Sequence, residues 1–153
     1  MANVIVPSIA ALLHTISAVV WVGGMFFAYV VLRPAAGPLD PAVRLGLWRR
    51  IFTGFFAWVY VAAILLLITG FTLFLGGYAL GPHVHVMMAI GIVMVLIFLH
   101  VYLAPWKRFR AALDAGDNAT AASQLNQIRI LVLVNLILGM INVAIGGSGR
   151  YWG

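Results

Sequence analysis

Four histidines and six methionines are the side chains of this 153-residue chain best suited to hold a metal. His83, His85, Met87 and Met88 fall within one short stretch, His14 stands far upstream, and His100 lies a few turns downstream. Imidazole nitrogen ligates haem iron and copper alike, while thioether sulfur is a soft donor that suits copper(I) and also serves as an axial haem ligand. Cysteine is absent, which removes thiolate clusters and disulfide scaffolds from consideration. The long apolar runs around His14 and His100 contain no Asp, Glu, Lys or Arg, so ion coupling through an intramembrane carboxylate has no candidate residue.

What must position these residues follows from composition. Hydrophobic residues make up 65% of the chain and charged residues 8%, with a mean hydropathy of +1.12. A soluble domain carries about 25% charged residues because it must cover a surface facing water, so this chain faces a lipid bilayer. Crossing a hydrocarbon core of about 30 Å takes roughly 20 apolar residues as a helix. Four runs meet that length, at about 8–32, 51–75, 85–103 and 130–146. They predict an all-α integral membrane four-helix bundle, one transmembrane domain over 1–153. The first run is too long for a signal-peptide core and residues 1–7 carry no basic side chain, so it reads as a retained span.

The connections orient the bundle. The first contains Arg33, Arg44, Arg49 and Arg50 against Asp40; the last contains Lys107, Arg108, Arg110 and Arg129 against Asp114 and Asp117; the middle one, 76–84, has no charge. Lys- and Arg-rich short loops stay cytoplasmic, which predicts an N-out/C-out topology with Arg150 as the exception. The net charge of +6 is then a topology signal, with anionic lipid headgroups as a secondary partner and no nucleic acid. Arg33-Pro34 with Gly37 and Pro38 breaks the first helix, Pro41 starts a short interfacial helix through Leu47, and 106–127 extends the third and fourth helices around a Gly116-Asp117-Asn118 turn. Trp48, Trp106 and Trp152 fall where interfacial aromatic belts occur.

Helices one and three run in the same direction, so His14 shares the outer half of the membrane with His83, His85, Met87 and Met88, and His100 approaches the inner surface. The His14 face continues through Ser17, Ala18, Trp21, Met25 and Ala28, small and aromatic side chains able to border a flat ligand. Two alternative chemistries suit that group. One is haem b, with His14 as one axial ligand, His85 or Met87 as the other, and Trp21 and Met25 beside the ring. The other is an outward-facing copper site of His14, His83, His85, Met87 and Met88. Against both stands plain packing. Methionine fills apolar cores, a lone membrane histidine hydrogen-bonds a neighbouring helix, and Asn135, Gly139, Asn142 and Gly146 form a small, polar face of the kind that joins helices or promotes self-association. On that reading the chain is an accessory subunit without a cofactor.

Leu13-His14, Trp21-Val22-Gly23-Gly24-Met25-Phe26-Phe27, Leu47-Trp48-Arg49-Arg50-Ile51-Phe52 and His83-Val84-His85-Val86-Met87-Met88 together resemble the copper-resistance D (CopD-like) membrane proteins, and the ground plan is similar to the HemJ-like protoporphyrinogen oxidases. The CopD resemblance implies copper handling at the bacterial inner membrane. The HemJ resemblance implies haem b bound through a first-helix histidine, matched by His14, and an oxidoreductase passing electrons to a redox partner or quinone-type acceptor. HemJ-like chains also open the third helix with His-x-Lys, and here His85-Val86-Met87 has methionine in place of the lysine. A methionine carries no proton and pairs with no carboxylate, so chemistry that needs a cation there is disfavoured, and electron transfer stands beside a HemJ-like oxidation.

Overall fold

The computed structural model describes residues 2–151, and the chain folds into four helical rods long and apolar enough to cross a membrane. Trp152 lies outside the described residues. The first rod, α1, is α-helical over Ala2–Ala18, π-helical over Val19–Gly23, α-helical over Gly24–Phe26, π-helical over Phe27–Leu32 and α-helical again over Arg33–Ala35. A continuous inward stripe, Ala10, His14, Ser17, Trp21, Met25 and Ala28, runs along it at three- and four-residue steps, with His14 half-buried and the others buried.

The second rod, α2, spans Pro41–Leu75 without interruption. The short interfacial helix expected over Pro41–Leu47 is thus the first part of a 35-residue helix. Nothing between Leu47 and Ile51 breaks a helix, and the basic side chains of Arg49 and Arg50 tolerate the exposed turns outside the bilayer. Gly77 and Gly81, with φ of +71° and +124°, turn the chain into the third rod in a region of backbone space that favours glycine.

That rod comprises α3 (Pro82–Leu103) and α4 (Pro105–Asp114). They part at Ala104, whose φ of −116° and ψ of −81° lie outside the helical well, because Pro105 crowds the residue before it. A turn at Gly116, φ +72°, leads to α5 (Asn118–Ser148), capped at its start by Asp117, whose carboxylate accepts from the Thr120 N–H at 2.9 Å. The expected Gly116-Asp117-Asn118 turn is found; the first and last helices run past the bilayer-length estimates at both ends, while α2 and α3 start earlier than expected and stop at the expected Leu75 and Leu103.

The rods pack as two pairs. α1 lies along α2, and α5 lies along both α3 and α4, while α2 touches α3 only lightly. The pairs are locked together at the end bearing the basic connections, called here the basic end. Trp48, Phe52, Phe56, Phe98, Trp106 and Phe109 are buried there and interlock, with Phe52 and Phe56 stacked at 5.0 Å and Phe56 meeting Trp106 edge-on at 5.3 Å.

Candidate functional site

The other end, which carries the uncharged 76–81 turn, is where five of the predicted donors are found: His14, His83, His85, Met87 and Met88. His14 meets α2 rather than α3. Its Nδ1 lies 2.9 Å from the Thr69 Oγ1, and Thr69 itself is buried. The Thr69 hydroxyl has one hydrogen, which it donates to the Leu65 carbonyl at 2.6 Å. The hydroxyl oxygen therefore accepts from His14, whose Nδ1 carries the proton. This leaves the Nε2 lone pair available, with no hydrogen bond among the described residues. A histidine whose Nδ1–H is held by a neighbouring acceptor is oriented and electron-enriched for binding a metal through Nε2. Gly70 makes the space: a Cβ there would stand 3.3 Å from the His14 Cε1.

His85 reaches the same tautomer by another route. Its Nδ1 lies 3.1 Å from the Gly81 carbonyl, which can only accept, so Nδ1 is again the protonated nitrogen. The ring packs edge-on against Phe74 of α2, with centroids 5.3 Å apart. The anchors Thr69 and Phe74 are five residues apart, about 7.5 Å along the α2 axis at the helical rise. The structure thus brings His14 and His85 to one end of one helix, each with Nε2 open.

The remaining predicted donors do not join this pair of contacts on α2. Met87 seats against Gly146 of α5, where a Cβ would stand 2.9 Å from the Met87 Cε. His83 covers Gly149, close enough that any added Cβ would collide with its ring. Met88 is half-buried. His100 is exposed at the far end of α3, about 22 Å from His85 by helical rise. No group of three or more His, Asp or Glu side chains gathers at ion-binding distance among the described residues.

Trp21 and Met25 sit in a filled core. They are 3% and 2% exposed, and the Trp21 ring meets Phe98 edge-on at 6.0 Å. The cavity they share with Phe55, Phe56, Phe98 and Asn135 holds about 10 Å³, room for the centre of one water. A porphyrin does not fit between these two side chains. Two imidazoles are donors of the kind that haem iron or copper takes, so the donor chemistry fits and the expected ring wall does not.

Sequence reasoning passed over two contributions. Thr69 and Gly70, a small polar pair inside a leucine-rich run, are what α2 offers to His14. The second is a register: Asn135 and Asn142 donate to the Met94 and Met87 carbonyls at 3.3 Å each, and Met94 and Met87 in turn fill the notches left by Gly139 and Gly146. The seven-residue spacing on α5 matches the seven-residue spacing on α3, so the polar face expected for packing is used that way.

The architecture and the environment of its apolar surface define a multi-pass, all-α membrane protein. Comparison of the chain with known protein families, with curated proteins and with solved structures finds no match.

Proposed function

We propose that this protein is a bacterial inner-membrane haem b protein of N-out/C-out topology that transfers electrons, in which the Nε2 atoms of His14 and His85 would hold the iron. The observation that carries this reading is the Thr69–His14 hydrogen bond at 2.9 Å, which holds an otherwise unused imidazole in the ligating tautomer. When bound, a bis-imidazole haem supplies one-electron redox chemistry at a potential tuned by its surroundings. Thr69 fixes the orientation of the His14 ring, Gly70 admits it, and Gly81 with Phe74 orients that of His85. The redox partner is a quinone-type acceptor or a protein meeting the outer end of the bundle.

A second reading has its own observation in its favour. The core beside Trp21 and Met25 has no room for a macrocycle, whereas a bare copper ion needs only donors. On that reading the chain handles copper(I) through His14 and His85, with Met88 as the nearest uncommitted soft donor on α3.

One experiment separates the two. The protein is purified in mild detergent, its oxidised and dithionite-reduced spectra are recorded, and iron and copper are quantified in the same sample. A Soret band with sharpened α and β bands on reduction, lost in both His14→Ala and His85→Ala, is the expected result. Stoichiometric copper without a Soret band moves the assignment to copper handling, and neither metal in a folded protein refutes both.

A further inference from the structure

At the basic end, away from the histidines, α1, α2 and α5 enclose a recess lined by Ala28, Tyr29, Arg33, Trp48, Phe52 and Arg129. Two of the residues that line it carry buried N–H groups with no acceptor among the described residues. The Trp48 Nε1–H is buried without an acceptor in a side chain only 2% exposed, and the Arg129 Nε–H is buried without one as well. Each guanidinium carbon lies over an aromatic ring, that of Arg33 over Tyr29 at 4.8 Å and that of Arg129 over Trp48 at 5.7 Å. A cation held over a ring face is attracted to it and can still donate hydrogen bonds elsewhere.

The charge is equally one-sided. Arg33 and Arg44 are the cationic neighbours felt at Arg129. The one ion pair among the described residues, Arg49 with Asp114 at 2.6 Å, involves none of the three. Buried donors left unpaired are costly and gathered like charges repel, so the arrangement suits an anion that accepts several hydrogen bonds. The enclosed part of the recess, about 10 Å³, has room for one oxygen and leaves the rest of a ligand outside, and the surface it exposes is apolar.

We infer that this recess marks a phosphate-binding site, occupied by the headgroup phosphate of an acidic phospholipid whose acyl chains lie against the exposed apolar helix faces beside it. Arg33 and Arg129 supply charge and N–H donors, and Trp48 supplies the buried N–H that fixes the depth at which the phosphate sits. The inference is independent of the histidine site, because it involves the opposite end of the bundle and none of the same side chains.

The test is native mass spectrometry of the detergent-purified protein titrated with phosphatidylglycerol, with phosphatidylcholine as the neutral comparison and inorganic phosphate as a competitor. The wild type retains phosphatidylglycerol in preference to phosphatidylcholine. Arg129→Gln weakens that retention about fivefold, the value of one basic residue near an anionic headgroup, and Trp48→Phe weakens it while keeping the aromatic packing. Arg108→Gln, an exposed basic change outside the recess, leaves it unaltered. Arg33 is exposed, so Arg33→Gln loses retention without endangering the fold. Displacement of the lipid by inorganic phosphate, lost in the same variants, keeps the phosphate site and assigns it to a soluble ligand. Retention unchanged in the Arg33→Gln/Arg129→Gln double variant, or reduced equally by Arg108→Gln, overturns the proposal.

Discussion

The two ends of the bundle are held together by different means. At the basic end, aromatic rings from α2, α3 and α4 interlock and α5 closes over them, with Phe109, Ala121 and Ile128 at 0% exposure. At the histidine end the contacts between helices are single polar links: His14 to Thr69, Asn142 to the Met87 carbonyl, His85 against Phe74. Leu12, Leu13, Phe71 and Val86 around them face outward. A bilayer offers no hydrophobic reward for bringing two apolar helices together, since lipid is as apolar as leucine, so association there rests on close packing and a few hydrogen bonds. The basic end holds the architecture, and the histidine end keeps polar atoms with unused bonding capacity. A ligand can be accommodated at the second end without dismantling the first.

Substitutions at the two ends should separate accordingly. Phe109→Ala, in the part of the bundle that projects beyond the bilayer and is covered by water-facing α5, is expected to cost about 3–5 kcal/mol, the range for truncating a buried phenylalanine. Thermal unfolding in detergent, followed by circular dichroism, measures this, and a loss below 1 kcal/mol would show that the aromatic interlock does not hold the helix pairs together. Asn135→Ala removes one interhelical hydrogen bond and is expected to cost about 0.6 kcal/mol, the average found for such bonds in a membrane protein. A cost as large as that of Phe109→Ala would mean the polar register on α5, rather than the aromatic end, carries the fold.

How much of this was legible in the residues differs between fold and site. The four apolar runs mark the spans because a hydrocarbon core demands them. Their ends were underestimated, since apolarity reports only the part of a helix inside lipid, while Arg44 to Arg50 and Asn118 to Arg129 continue the same helices into the polar region. The π-helical turns of α1 leave no composition signal. The site was read from helix direction alone, which places His14 and the helix-three donors in one half of the membrane but says nothing about which helix neighbours which. The structure pairs α1 with α2, so the first partner of His14 is Thr69, a residue that looks like filler in a leucine run. Trp21 and Met25 share the His14 stripe, yet they lie at the level where the bundle is full. Met87 and Met94 find their purpose only when set against Gly146 and Gly139, a match of two heptads on antiparallel helices that is visible in the sequence once the pairing of α3 with α5 is known.

The account rests on His14 as a metal ligand held by Thr69. The direct test is His14→Gly purified and reconstituted with haem, with and without added imidazole, beside Thr69→Val. The glycine variant is expected to lose the Soret band and recover it when free imidazole occupies the vacated space. Thr69→Val, which keeps shape and removes the acceptor, is expected to keep the band with affinity lowered about 10–100-fold. A His14→Gly protein with the wild-type spectrum and metal content, indifferent to imidazole, would contradict the claim.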